Sequence, residues 1–295
     1  MLFQDTYQYF GFWDAIEMGL YYVIVGYFFL LFFYFLFIRF RTSKKLYWLF
    51  FSLFFLCFGV ARVFFIIYYF YAPELFDGAT IASGEKVVEF LMVNYRLATF
   101  FTWMGVACAV GVLGILLLPP DSQIEKTERK GSILKNWLAN KNNVKLLIRV
   151  GLFIVPVIIG ILALTLSQWL FMDPDFVEPI GVNGGYGIPD DIIKIIFGSW
   201  EYPLGRFLFN FIFMPLFLAL IPFVFLYLAW KTFGVLRKSY ALNAIGFLLY
   251  FIGGRILQGA LDVADFPHVK AILPPLIILL ALLIMVIANN YEQLK

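Results

Sequence analysis

The chain has 295 residues, of which 63% are hydrophobic and 14% charged, and its mean hydropathy is +0.89. A soluble domain cannot hide that much apolar surface, so the composition excludes a soluble globular protein and points to an all-α integral membrane protein. Cys57, Cys108 and the single His268 exclude a disulfide framework, a zinc cluster and a haem-ligating histidine pair.

Met1 to Trp13 carries no Lys or Arg and no short apolar core ending at a small-residue cleavage site, so the first hydrophobic segment is expected to be a mature span. A spanning helix needs about 20 apolar residues. Segments 15–38, 46–71, 87–117, 144–170, 204–230, 240–260 and 270–290 qualify, which predicts a single seven-helix bundle over 1–295. The sixth is the weakest, because Gly246, Gly253, Gly254, Arg255 and Gly259 interrupt it. Pro156, Pro215, Pro222 and Pro274-Pro275 are expected to kink the fourth, fifth and seventh. Gly105, Gly111 and Gly114 read as close-packing contacts in the third.

Lys and Arg concentrate in the connections around 39–45, 126–149 and 231–238, whereas most acids fall in the other connections. The positive-inside rule therefore places the N-terminus outside and the C-terminus inside a cell membrane. The connection "DSQIEKTERKGSILKNWLANKNN" reads as a headgroup-facing basic loop. Residues 171–203 read as a long acidic outer loop in which Pro189, Asp190 and Asp191 start a short amphipathic helix.

"KKLYWLFFSLFFLCFGVAR" (Lys44–Arg62) aligns with "RKSYALNAIGFLLYFIGGR" (Arg237–Arg255), keeping the basic-pair-to-Arg spacing. The match suggests a 3+1+3 parallel pseudo-repeat, with spans 1–3 and 5–7 joined by the fourth. That layout is similar to the layout of SWEET sugar transporters, although their Pro-Gln signature is absent. The seventh span, "IILLALLIM", has no lysine that could carry retinal, and "LGILLLPP" closes the third without the acidic-Arg-Tyr triplet of rhodopsin-like receptors.

Depth organises the polar residues. Arg62 and Arg255 lie ~24 Å and ~22 Å from the inner starts of their helices, and Arg96 lies ~13 Å below its outer start. A charge at mid-span costs roughly 2.5–3.5 kcal/mol on insertion scales, which makes each one a candidate functional residue. Helical spacing adds Gln258 and Asp262 to Arg255, Glu89 and Thr99 to Arg96, and Asn210 to Arg206. Gln168 and Glu17 complete an outward-opening polar cluster, whereas the inner half shows little beyond Ser52 and Asn243. Arg206, at the outer end of its helix, is expected to snorkel.

This pattern predicts a receptor- or sensor-like protein that binds a polar or anionic ligand. Arg62, Arg96, Arg255, Gln258, Asn210 and Gln168 would contact the ligand, with Glu17, Glu89 and Asp262 as counter-ions. A small-solute or anion transporter with pseudo-symmetric halves is the second reading, and a non-catalytic scaffold subunit, whose arginines only pair with carboxylates or cap carbonyls, is the third. No nucleophile–base pair, phosphate loop or metal constellation is present, so neither catalysis nor a cofactor is expected. The expected partners are the lipid bilayer and a membrane or cytoplasmic protein to carry a signal, with no nucleic acid.

Overall fold

The computed structural model describes residues 11–71, 81–117, 141–177, 186–197, 200–257 and 267–290. Seven helices in it are long and apolar enough to cross a membrane, as expected from the composition. They are α1 (Phe12–Ser43), α2 (Leu46–Phe70), α3 (Ile81–Leu117), α4 (Lys141–Thr165), α5 (Leu204–Lys231), α6 (Gly234–Phe251, continued by Ile252–Leu257) and α7 (Pro267–Asn290). The protein is a multi-pass membrane protein.

Local chemistry sets the helix ends. The Asp14 carboxylate accepts the Gly11 N–H at 2.9 Å, which satisfies a backbone donor and places negative charge at the N-terminus of α1. Lys44, in the left-handed conformation at φ 54°, and extended Lys45 turn the chain from α1 into α2. Gly234, at φ +64°, performs the corresponding turn into α6.

Between α1 and α2, α3 and α4, and at α6, the observed ends differ modestly from those expected. Helix α4 stops at Thr165 instead of 170, and Ser167 opens a short 3-10 turn, Gln168–Leu170. The sixth helix starts earlier than expected, at Gly234, and its glycine-rich end becomes a π-helical stretch, Ile252–Leu257. Wider π turns also occur at Tyr34–Phe40, Ile67–Tyr71 and Phe207–Phe213. Pro156, Pro222, Pro274 and Pro275 all lie within helices.

The helices close into a ring. Helix α1 packs against α2 and α7, α2 against α3, α3 against α5, α5 against α6 and α6 against α7. Helix α4 lies beside α3 on the outside of the ring, and Leu147, Ile154, Ile158 and Ile161 leave it exposed on the lipid side. In lipid, such a bundle is held mainly by van der Waals packing and interhelical hydrogen bonds, so close fit decides stability.

The middle of the bundle is an aromatic plug. Phe35 stacks on Phe55 at 5.6 Å, Phe54 lies 4.7 Å from Phe58 and 5.5 Å from Phe247, and Phe247 stacks on Phe225 at 5.4 Å. Each such pair contributes about 0.5–1.5 kcal/mol beyond its buried area. Gly105 makes room for the plug: a Cβ there would overlap the Phe58 ring. At Gly246 a Cβ would sit 2.7 Å from Met285 Cγ, so that glycine lets α6 press against α7.

The segment before α5 corrects one expectation. Pro189–Asp191 do not start a helix; instead β1 (Lys194–Phe197) pairs antiparallel with β2 (Trp200–Pro203), in the register Ile195 to Tyr202. The run "IIKIIF" is dense in β-branched isoleucine, which favours a pleated strand over a short helix. Backbone bonds fasten the hairpin to the bundle: Ile193 N–H donates to Trp169 O at 3.1 Å and Leu204 N–H to Ile193 O at 2.9 Å.

Candidate functional site

The arginines of the spans occupy unlike surroundings. Arg206 does not snorkel as expected; it is 8% exposed and fully engaged. It lies in the first turn of α5, immediately after β2. The absence of a side chain at Gly205 allows that turn to approach the Leu170 carbonyl, 2.6 Å from where a Cβ would stand. Arg206 Nε then donates to Phe171 O, Nη1 to Asp173 Oδ2 at 2.7 Å, and Nη2 to Tyr68 Oη at 2.6 Å. Its guanidinium lies 4.4 Å from the Tyr95 ring centre. One turn on, Asn210 Nδ2 donates to Tyr95 Oη at 3.1 Å. Asn210 thus belongs to a closed knot joining α2, α3, α5 and the segment after α4.

Arg96 is also committed. Nε donates to Ala163 O at 3.0 Å, and Nη2 donates to Leu164 O and, at 2.7 Å, to Leu166 O. These carbonyls surround the end of α4 at Thr165, where a helix leaves acceptors without intrahelical partners and favours positive charge. Gln168 is half-buried in the following turn and makes no side-chain hydrogen bond among the described residues. Glu89 points away from the bundle: it is exposed and forms no ion pair among the described residues.

Arg62 differs from both. Its guanidinium carbon stands 4.3 Å from the Tyr21 ring centre, and among the described residues it makes neither a hydrogen bond nor an ion pair. Glu17 lies within electrostatic reach of Arg62 and Lys270 but too far for an ion pair. The buried Tyr21 hydroxyl lies beside it and faces the Glu17 carboxyl.

Arg62 lines a cavity of about 60 Å³ together with Phe58, Phe65, Tyr69, Thr102, Tyr250 and Gly254. Its cation–π contact contributes roughly 0.5–2 kcal/mol. The backbone of Arg255 follows Gly254 in the π-helical end of α6, beside this cavity. The Arg255 side chain, Gln258 and Asp262 lie outside the described residues.

At the opposite end, where Lys44, Lys45 and Lys231 cluster, the expectation of a dry half needs correction. Tyr47 Oη donates to Asn289 Oδ1 at 3.0 Å, and Asn289 Nδ2 donates to Asn243 Oδ1 at 3.0 Å. Tyr34 and Arg39 both bond Asn290 Oδ1, and Arg39 also donates to Asn289 O at 3.1 Å. Asparagines at the end of a helix and tyrosines in apolar runs carry little signal singly, and their meeting across α1, α2, α6 and α7 is a tertiary fact.

No known family, curated protein or solved structure matches the chain, so the reading of its function rests on this geometry.

Proposed function

We propose that this multi-pass protein is receptor- or sensor-like and binds a small anion at Arg62, from the side of the membrane that carries the hairpin. The carrying observation is a guanidinium at membrane depth whose N–H donors have no protein acceptor among the described residues and which borders a cavity. The volume favours a halide, nitrate or a few waters over an organic ligand. Thr102 lies on the same wall, but its hydroxyl already donates to Ala98 O at 2.8 Å, so Arg62 is the charged donor that borders the cavity. The charge distribution along the chain orients the hairpin end outward in a cell membrane.

The aromatic plug beneath the cavity favours binding over conduction, because a hydrophilic route needs polar lining at every depth. Iodide soaked into crystals should give anomalous density beside Arg62. Chloride or nitrate should raise the melting temperature of the wild type in nanodiscs, and Arg62→Gln should lose both responses. Equal stabilisation of wild type and variant would overturn the proposal. Anion flux into proteoliposomes that depends on Arg62 would instead favour the pseudo-symmetric carrier.

A further inference from the structure

A second and larger cavity lies at the end of the bundle distant from the hairpin. Its volume is about 520 Å³, within the usual range for a small-molecule site. It is walled by the starts of α2, α4 and α6 and the ends of α3 and α7. On α2, Trp48 of this cavity and Phe58 of the Arg62 cavity are ten residues apart, ~15 Å along the helix, with the aromatic plug between them.

The lining has two characters. Leu46, Ile115, Leu116 and Leu236 form an apolar wall, and Lys45 and Arg149 supply two cations. The Nε and Nη2 atoms of Arg149 are buried and have no hydrogen-bond partner among the described residues. An unpaired buried donor is costly, and more so when it belongs to a charged group. Arg149 is held there because α4 crosses closely over α3: its Cγ lies 3.5 Å from the position a Cβ would take on Gly114.

We infer that this cavity binds an amphiphile with a phosphate headgroup, its phosphate between Arg149 and Lys45 and its chain against Leu46, Ile115, Leu116 and Leu236. A guanidinium fork suits phosphate oxygens, and the ammonium of exposed Lys45 on the same lining adds a second charge. Basic recesses between spanning helices at a membrane's charged face recognise anionic lipid headgroups on the same grounds. A free phosphate ion would satisfy the cations but leave the apolar wall empty, so the phosphate is assigned to a lipid.

The test uses the full chain in nanodiscs of phosphatidylcholine alone or with one quarter phosphatidylglycerol. Phosphatidylglycerol should raise the melting temperature of the wild type, and native mass spectrometry should find it retained on the protein. Arg149→Gln should weaken retention about tenfold, the loss of one charge-assisted contact. Leu236→Trp, which crowds the apolar wall and keeps both cations, should weaken retention while melting normally in phosphatidylcholine. Stabilisation by millimolar inorganic phosphate equal to that by the lipid would overturn the inference. So would lipid retention unaffected by both substitutions, which would leave a segment of the chain itself as the occupant. Iodide binding at Arg62 is read separately, so either proposal can fail alone.

Discussion

Arg62 and Arg206 are two arginines near the same end of one bundle with opposite solutions to the same electrostatic problem. Arg206 is enclosed, and Phe171 O, Asp173 and Tyr68 take up its Nε, Nη1 and Nη2 donors. Arg62 leans on a single aromatic face and otherwise looks into a cavity. A charge whose donors are satisfied by its own protein is part of the scaffold, whereas one left facing a void is available to something else. The difference originates in the partner segments: the chain after α4 folds back to deliver Phe171 and Asp173 to Arg206, and no described segment does the same for Arg62.

The sharpest way to break this contrast is to remove Arg206. Arg206→Met should destabilise the protein by ~3–5 kcal/mol, because the buried Tyr68 hydroxyl and Phe171 carbonyl lose their donor and half-buried Asp173 loses this ion pair. Denaturant titration in detergent measures this directly. A loss under ~1 kcal/mol would mean that the knot is not structural. Next in size is Arg96→Gln, which should cost about 2 kcal/mol and fray the end of α4. Hydrogen exchange should speed up first around Leu166, and uniform exchange along α4 would speak against the capping role. Arg62→Gln should change stability by only ~1 kcal/mol or less while weakening iodide binding at least about tenfold. A large stability loss with anion response intact would erase the distinction between the two arginines.

The same contrast explains what could be read from the sequence. All seven spans were legible, because about 20 apolar residues in a row leave no other solution. The place of Arg62 inside its helix was legible, and so was its stretch of apolar neighbours. The environment of Arg206 was not, since Asp173 lies 33 residues away in a connection that reads as loop, and depth alone argues for snorkelling. Helical spacing placed Glu89 on the face of Arg96, but Glu89 is exposed and Arg96 instead meets the carbonyls of α4. Backbone acceptors are invisible to residue patterns. The hairpin was misread for a related reason: Pro-Asp-Asp is a sound helix start, and the isoleucines after it found strand partners in Trp200–Pro203.

The smallest expected effect tests whether the hairpin belongs to the closed side of the comparison. Tyr202 on β2 packs against Phe211 at 5.3 Å. Burial, reinforced by Tyr95 and opposed by Arg206, pushes its phenol from the ordinary 10.0 up to about 12. The folded state thus holds this proton more tightly than the unfolded chain does. Its contribution to stability is complete below pH 10 and is lost as the pH rises toward 12. Melting curves of wild type and Tyr202→Phe should therefore run parallel up to pH 10 and diverge above it, the wild type losing stability faster. Because β2 leads directly into the turn that carries Arg206, exchange of the Leu204 amide, which donates to Ile193 O, should quicken in the same range. Parallel curves through pH 12 would mean that the phenol is solvated and that the hairpin lies loosely over the knot.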